Sequence, residues 1–322
     1  MKANIDRISI IIPHYNSTGL LVKLLKTIPN DERIEVIVVD DNSSDSLEPI
    51  EQYVVDEKRN NIILAKNDSG MKGAGSSRNI GLKLATGSWL LFADSDDYFM
   101  DGWYDVVQKY LNSEYDMVYF MPTSIDLNTN RTSSRHVMYA ELVEHYHRTR
   151  SQKALLELKY CFCTPWSKMI RRAVVEKYDL VFDEVPASND IMFITKSAFY
   201  SESIAADMGI IYCVTRGGSS LTSKKDKAKF MSRVNVLIDR YNFLRNHLSK
   251  KEFRIVHIDR YALGKLVDIV IEKWGLHMFF EVMKLFHDNK IAIWDVGLLN
   301  PFTLFHKAKI ELAWWRDIKK SR

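Results

Sequence analysis

The sequence predicts an α/β fold built on a doubly wound parallel sheet, followed by a mostly helical C-terminal region. Three observations carry this. Over the first hundred residues, short β-branched apolar runs alternate with stretches of helical apolar spacing, the pattern of a parallel sheet covered by helices. Two acidic clusters, Asp40-Asp41 and Asp94-Ser95-Asp96-Asp97, fall at the ends of such runs, where open α/β sheets bind ligands. From Asp226 to about Phe286 the apolar residues recur at helical spacing alone.

Ile8 to Ile12, stopped by Pro13, reads as a strand buried on both faces. Asn16, Ser17 and Thr18 offer an N-cap for a helix carrying Leu20, Leu21, Leu24, Leu25 and Ile28, and Pro29 ends it. Glu35 to Val39 forms the second strand, Ser46 to Glu57 the second helix, and Ile62 to Ala65 the third strand. Ser44 or Asp45 is expected to cap that second helix. A Gly-rich loop from Gly70 to Gly75 opens a helix through Leu84, and Trp89 to Ala93 forms a strand. Further on, Met117 to Met121 is a strand, Asn128 to Ser134 irregular, Ser151 to Leu158 helical, and Lys168 to Arg171 a strand. In the C-terminal region, Phe230, Val234, Leu237, Tyr241 and Leu244 mark one apolar face, and Leu263, Leu266, Val267, Ile269 and Val270 another.

Composition excludes several classes. With 322 residues, 46% hydrophobic and 27% charged, the chain has ordinary globular composition, neither disordered nor collagen-like. A net charge of +4 is too small for a dedicated nucleic-acid binder, so no nucleic-acid partner is expected. Residues 301 to 322 hold six basic side chains against Glu311 and Asp317, so the whole surplus lies in the tail. Cys161, Cys163 and Cys213 cannot all pair, and one residue between the first two suits neither a zinc knuckle nor a redox motif. They read as buried thiols of a protein in a reducing compartment. The N-terminus lacks a secretory pattern, and no run reaches 18 apolar residues, so a cytoplasmic location is expected.

Three carboxylates within four residues at a strand end, Asp94, Asp96 and Asp97, repel one another unless a cation is shared. A hard divalent ion, Mg2+ or Mn2+, completed by phosphate oxygens, suits them. The plain alternative is a solvated acidic turn. At Asp40-Asp41 an acid could bind ribose hydroxyls, but the turn Pro13-His14-Tyr15-Asn16-Ser17-Thr18-Gly19 lacks the paired glycines of a dinucleotide site. Gly70-Met71-Lys72-Gly73-Ala74-Gly75-Ser76-Ser77 approaches a phosphate loop of the ATPase type, yet Ser76 stands where lysine is required. With Arg78 at the following helix start, the loop could still hold phosphate or ribose.

Taken in order, these segments resemble the family 2 inverting glycosyltransferases of the GT-A fold, of the bacterial surface-polysaccharide type. The resemblance rests on Ile-Ile-Ile-Pro-His-Tyr-Asn (10–16), Val-Val-Asp-Asp-Asn-Ser-Ser-Asp (38–45), Asn67 with Gly70, Gly75 through Gly81, Ala85-Thr86-Gly87, and Asp94-Ser95-Asp96-Asp97. Thr164-Pro165-Trp166-Ser167-Lys168, Ser188-Asn189-Asp190 and Arg216 with Ser219 extend it to about residue 222. Asn189 departs from the pattern, since the family carries glutamate before its base. The resemblance implies a Rossmann-like nucleotide-diphospho-sugar transferase domain over 1–222, divided into a nucleotide-sugar half (1–121) and an acceptor half (122–222). The helical region then spans 223–322.

The resemblance further implies that Pro13, Tyr15, Asp41, Arg78 and Asp94 surround the nucleotide, and that Asp94, Asp96 and alternatively Asp97 bind Mn2+ or Mg2+. Asp190 is then the general base, and Trp166, Lys168, Arg216 and Ser219 face acceptor or diphosphate, although a packed tryptophan with a surface lysine is an equally plain reading. The implied reaction moves a sugar from a nucleoside-diphosphate donor, UDP-linked by expectation, to a glycan or lipid-linked acceptor. A sugar-nucleotide nucleotidyltransferase would want a basic Gly-rich loop after the first strand; a non-enzymatic sugar-nucleotide scaffold finds its support in Asn189. In the tail, Leu304, Phe305, Ala308, Leu312, Trp315 and Ile318 recur at helical spacing beside the basic residues. That is the composition of an interfacial helix on an anionic membrane, with docking on the protein's own core as the alternative.

Overall fold

The computed structural model describes residues 6–217 and 226–291. The chain divides into two compact units, 1–216 and 217–322. In the first, strands and helices alternate as β1 (Ile8–His14), α1 (Thr18–Lys26), β2 (Ile34–Asp40), α2 (Glu48–Asp56), β3 (Ile62–Lys66), α3 (Ala74–Leu84) and β4 (Trp89–Phe92). They continue through β5 (Tyr98–Phe99), α4 (Trp103–Val107), β6 (Met117–Asp126), β7 (Arg131–Thr132), α5 (Val137–Thr149) and α6 (Gln152–Cys161). Then come β8 (Lys168–Arg171), α7 (Arg172–Lys177), α8 (Ile191–Tyr200) and β9 (Ile204–Arg216).

All seven residues of β1, and all seven of β2, are buried, which is why the sequence shows β-branched runs there rather than an inside-outside alternation. The sheet runs β3-β2-β1-β4-β8-β6-β9-β5, with β7 paired to β6. β3, β2, β1 and β4 are parallel, as expected. Beyond β4 the sheet is mixed: β8 is antiparallel to both β4 and β6, β9 is parallel to β6, and β5 is antiparallel to β9. An antiparallel strand needs no crossover helix, so the alternation breaks down in the sequence at that point. The carboxyl ends of β1, β2, β4, β6 and β9 consequently lie along one edge.

The Ala85-Thr86-Gly87 segment belongs to the opposite end of the sheet. Ser9 Oγ donates to Glu35 Oε2 at 2.6 Å, and Thr86 donates to Glu35 through its backbone N–H (2.9 Å) and hydroxyl (2.8 Å). The N–H of Gly87 meets Ser9 Oγ at 2.8 Å. These bonds satisfy a buried carboxylate and tie the end of α3 to the starts of β1 and β2. Capping of α2 differs from expectation. Ser46 Oγ accepts from Glu48 N–H (3.2 Å), while the N–H groups of Ser44 and Asp45 go to Asn16 Oδ1.

The second unit is helical where described, with α9 (Lys227–His247), α10 (Lys250–Val256), α11 (Asp259–Ile271) and α12 (Leu276–Asp288). Asp226 caps α9 by accepting from Lys229 N–H, and Ser249 with Glu252 forms a capping box on α10. Phe230, Val234, Leu237, Tyr241 and Leu244 are buried as their spacing predicts. On α11, Leu266 and Ile269 are buried but Val267 and Val270 are exposed. Among the described residues no helix is long and apolar enough to cross a membrane. The tail, 301–322, lies outside the described residues, as does Ser219.

Candidate active site

Asp41 follows the last residue of β2 and is buried, with both carboxylate oxygens engaged. Asn67 Nδ2 donates to Oδ1 at 2.6 Å and the N–H of Gly73 to Oδ2 at 2.8 Å. Asn67 also donates to the carbonyl of Met71 (2.7 Å), and Ser76 Oγ donates to that same carbonyl at 2.8 Å. The Gly-rich loop is thus folded back over the end of β2 by side chains, with Gly73 at φ +118°, a conformation that L residues rarely adopt. Gly75 is required for a different reason. A Cβ there would stand 2.2 Å from the carbonyl oxygen of Asp183, so only glycine lets the start of α3 approach the segment leading to Asp190.

Pro13 and Tyr15 flank the end of β1. Pro13 is buried in register with Val39, and Tyr15 is exposed. Between them His14 is buried, its Nδ1 3.1 Å from Ser17 Oγ, which lies 2.8 Å from Ser95 Oγ. Burial lowers the His14 pKa against the opposing charges of Asp40 and Asp45, leaving a neutral imidazole that joins the first turn to the acidic loop. Asn16, at φ +48°, ties the same turn to the one after β2 by donating its N–H to Ser43 Oγ.

Arg78 is the central cation. It is 5% exposed, with one terminal nitrogen donating to Asp94 Oδ1 at 2.6 Å and the other to Asn189 Oδ1 at 2.9 Å. Its guanidinium lies 5.3 Å over the Phe182 ring. Asp190, next to Asn189, is the N-cap residue of α8 and keeps partial exposure. Loss of hydration raises its pKa; Arg78 and, more weakly, Lys168 pull it down, and Asp94 pushes it up.

The three carboxylates of the acidic loop are not equivalent. Asp94 is partly exposed and paired with Arg78. Asp96 reaches solvent, yet partial loss of hydration at its carboxyl and then the Asp94 charge raise its pKa, with Arg135 opposing. Asp97 is buried and fully engaged: Tyr212 OH donates to Oδ2 at 3.0 Å and the N–H of Thr215 to Oδ1 at 2.7 Å. Tyr212 OH also accepts from the N–H of Asp94 (2.8 Å), and Thr215 Oγ1 donates to the carbonyl of Asp96 (2.7 Å). Tyr212 and Thr215 of β9 therefore clamp the loop. Two accessible oxygen-donor groups at Asp94 and Asp96, close enough that the Asp94 charge raises the Asp96 carboxyl, fit a hard divalent ion completed by phosphate oxygens. Among the described residues no three His, Cys, Asp or Glu side chains form a metal cage by themselves, and the orientation of Asp97 toward β9 makes it a structural anchor of the loop rather than an open ligand.

Trp166 and Lys168 lie beneath the surface. Trp166 is 3% exposed and stacked 5.9 Å from Tyr212, with Tyr139 and Phe162 edge-on at 5.0 and 5.6 Å. Lys168 is wholly buried, its Nζ donating to the carbonyl of Phe162 at 2.7 Å and lying 3.9 Å from the Phe162 ring centre. Burial lowers its pKa to about 7. A surface contact from these two positions, expected from the motif, is replaced by packing under the site, because β8 is an interior strand. Arg216 ends β9 at the ligand edge of the sheet.

Asn67, Tyr212, Thr215 and Arg135 take part here without having been singled out as site residues. Asn67 stood in a quoted motif, and its amide among the loop's small residues was the available signal. Tyr212, Thr215 and Arg135 carry none, since their role depends on pairing far along the chain.

Residues 9–179, more than half of the chain, match the family model described as Glycosyl transferase family 2. The chain is 25% identical over 225 residues to poly(ribitol-phosphate) beta-N-acetylglucosaminyltransferase TarS of Staphylococcus aureus, an alignment covering 67% of this chain and 37% of TarS. It is 25% identical over 286 residues to the putative glycosyltransferase EpsH of Bacillus subtilis, covering 86% of this chain and 81% of EpsH. Among solved structures, S. aureus TarS 1-349 in complex with UDP-GlcNAc matches with a TM-score of 0.70 at 22% identity, covering 89% of this chain and 82% of that one. Mannosyltransferase PcManGT from Pyrobaculum calidifontis, in complex with GDP-Man and Mn2+, matches with a TM-score of 0.56 at 16% identity, covering 96% and 81%. At these identities the structural likeness shows the fold, the GT-A arrangement. The chain spans little more than a third of the full TarS sequence.

Proposed function

The chain belongs to glycosyl transferase family 2 and is a glycosyltransferase, and from that premise we propose that it transfers a sugar from a UDP-sugar to a glycan or lipid-linked acceptor of surface polysaccharide, with inversion and with Mn2+ or Mg2+. The observation that carries the reading is the Arg78 bridge from Asp94 to Asn189, beside Asp190. One buried cation couples the acid that would meet the donor to the segment holding the base. In this reading Pro13, Tyr15 and Asp41 border the nucleotide.

Asp190 accepts the proton of the acceptor hydroxyl as that oxygen attacks the anomeric carbon, and one in-line displacement inverts the centre. The raised Asp190 pKa makes the carboxylate a better proton acceptor, and the Arg78 charge opposes that rise. Because Asn189 is neutral where the family carries glutamate, the Arg78 charge remains available to Asp94 and Asp190. A divalent ion held by Asp94 and Asp96 would supply charge compensation for the departing diphosphate. Residues 1–121 then form the donor half and 122–222 the acceptor half, with Trp166 and Lys168 supporting the acceptor half from below and Arg216 at the end of β9. The basic tail, 301–322, gives peripheral contact with anionic lipid at the cytoplasmic face of the cell membrane, a reading supported by its composition.

Thermal shift with UDP, GDP and UDP-sugars, with and without Mn2+, tests the donor reading, since a ligand bound by the native state raises its stability. UDP with Mn2+ is expected to raise Tm, and Asp96→Ala to remove that rise without unfolding the protein. A metal-dependent shift unchanged in Asp96→Ala would overturn the assignment.

A further inference from the structure

Ser95, the residue between Asp94 and Asp96, is tied to the first turn of the chain. Its Oγ lies 2.8 Å from Ser17 Oγ, which in turn lies 3.1 Å from His14 Nδ1. These contacts reach the acidic loop from β1, the neighbour of β4 on one side, whereas Tyr212 and Thr215 reach it from β9 on the other. Ser17 stands at the N-cap of α1, yet its hydroxyl makes no capping bond to the helix, so it is diverted from the role its position favours. His14 is buried, and its Nε2 has no hydrogen-bond partner, lying 4.0 Å from Asp40 Oδ1. Among the described residues Ser95 Oγ has no partner besides Ser17.

A neutral imidazole carries one proton, on one of its two nitrogens. Burial, outweighing the Asp40 and Asp45 charges, lowers the His14 pKa and keeps the ring neutral. A proton on Nε2 faces the Asp40 carboxylate, whereas a bare Nε2 would turn its lone pair on that carboxylate, so the Nε2–H form is the stable one. Nδ1 is then an acceptor. Ser17 donates to it and Ser95 donates to Ser17, because each hydroxyl has a single proton. We propose that His14 is a positioning residue of the acidic loop: in its Nε2–H form it sets the direction of the hydrogen bonds through Ser17 to Ser95, and so holds Asp94 and Asp96 at the spacing that takes a divalent ion with the donor diphosphate. The proposal rests on the metal-dependent reading of that site. With its proton given to Ser17, Ser95 also offers only lone pairs to its remaining neighbours, so no hydroxyl proton between the two acids opposes a cation.

The test uses the full chain, calorimetric titration of UDP with and without Mn2+, and nitrogen NMR of histidine-labelled protein. The His14 signals, identified by their loss in His14→Asn, should show an unprotonated Nδ1 and a protonated Nε2; the reverse pattern overturns the proposal. Ser17→Ala should weaken UDP–Mn2+ about three- to tenfold, as loss of one hydrogen bond commonly does, with little effect on metal-free UDP. Ser17→Thr, which keeps the hydroxyl, should restore the affinity. His14→Phe, which keeps a ring without an acceptor, should match Ser17→Ala, and the two together should be no worse than either alone, because both break one chain. His14→Asn, which returns an acceptor oxygen, should recover part of the loss. Ser95→Ala carries the same comparison with Ser17→Ala if His14→Phe does not fold. Native UDP–Mn2+ affinity in Ser17→Ala, or losses from two of these positions that add, would overturn the proposal while leaving the metal reading intact. A native chain whose UDP binding ignores Mn2+ would instead refute the metal reading, and the proposal with it.

Discussion

Replacing Tyr212 by phenylalanine removes one oxygen atom and tests whether β9 holds the acidic loop. The ring is retained, and with it the stacking on Trp166 and the edge contact with Phe99 at 5.4 Å. What disappears is a hydroxyl that accepts from Asp94 N–H at 2.8 Å and donates to Asp97 Oδ2 at 3.0 Å. Asp97 keeps its bond from Thr215 but is too buried for water to replace the lost one. Two polar groups are left short of a partner, each at a cost of about 1–3 kcal/mol. In a domain of this size each kcal/mol lowers Tm by roughly 2–4 °C, so a fall of about 4–24 °C is expected. With its backbone N–H released, Asp94 loses its fixed position relative to Asp96, and the apparent affinity for UDP with Mn2+ should fall about tenfold. Thermal unfolding and calorimetric titration of UDP with and without Mn2+ measure both effects on one variant. A Tyr212→Phe protein that melts with the native protein and binds UDP–Mn2+ equally well would refute the clamp.

Asp190→Asn should keep UDP–Mn2+ affinity while lowering transfer by about 10² to 10⁴, measured as sugar release from UDP-sugar with acceptor; near-native turnover would place the base elsewhere. Lys168 contributes a pH slope. Its folded pKa of about 7 lies below its ordinary 10.5, so the folded state holds fewer protons, and the stabilisation, full above pH 10.5, is lost as pH falls through 7. Lys168→Met should flatten the urea-unfolding free energy over that window, and an unchanged slope would contradict the buried amine. Gly75→Ala should destabilise by about 1–3 kcal/mol because its methyl meets the Asp183 carbonyl, and it should also displace the Asn189 segment; a variant with native Tm and native transfer would show that the two segments yield at no cost.

The sequence by itself determined the parallel half of the sheet. β1, β2 and β4 are continuous apolar runs because both faces are covered, and each carries its polar residues just past its end, so strand, turn and ligand edge were legible together. Local chemistry likewise marked the Gly-rich loop and the start of α3. Tertiary structure decided what depends on distant partners. β9 and α8 were not read as elements, since a 13-residue strand with a partly polar middle and a short apolar helix have no distinctive period. Without β9 there was no sign that Asp97 turns inward while Asp94 and Asp96 stay accessible. The Thr86-Gly87 segment, noted in the sequence only as part of the family resemblance, satisfies buried Glu35 at the other end of the sheet. Lys168 looked like a surface cation, and only the placement of β8 between β4 and β6 shows that its amine is buried under Phe162. Spacing along the chain records which residues share an element, whereas burial and charge pairing depend on which elements meet, and that is settled only when the sheet closes.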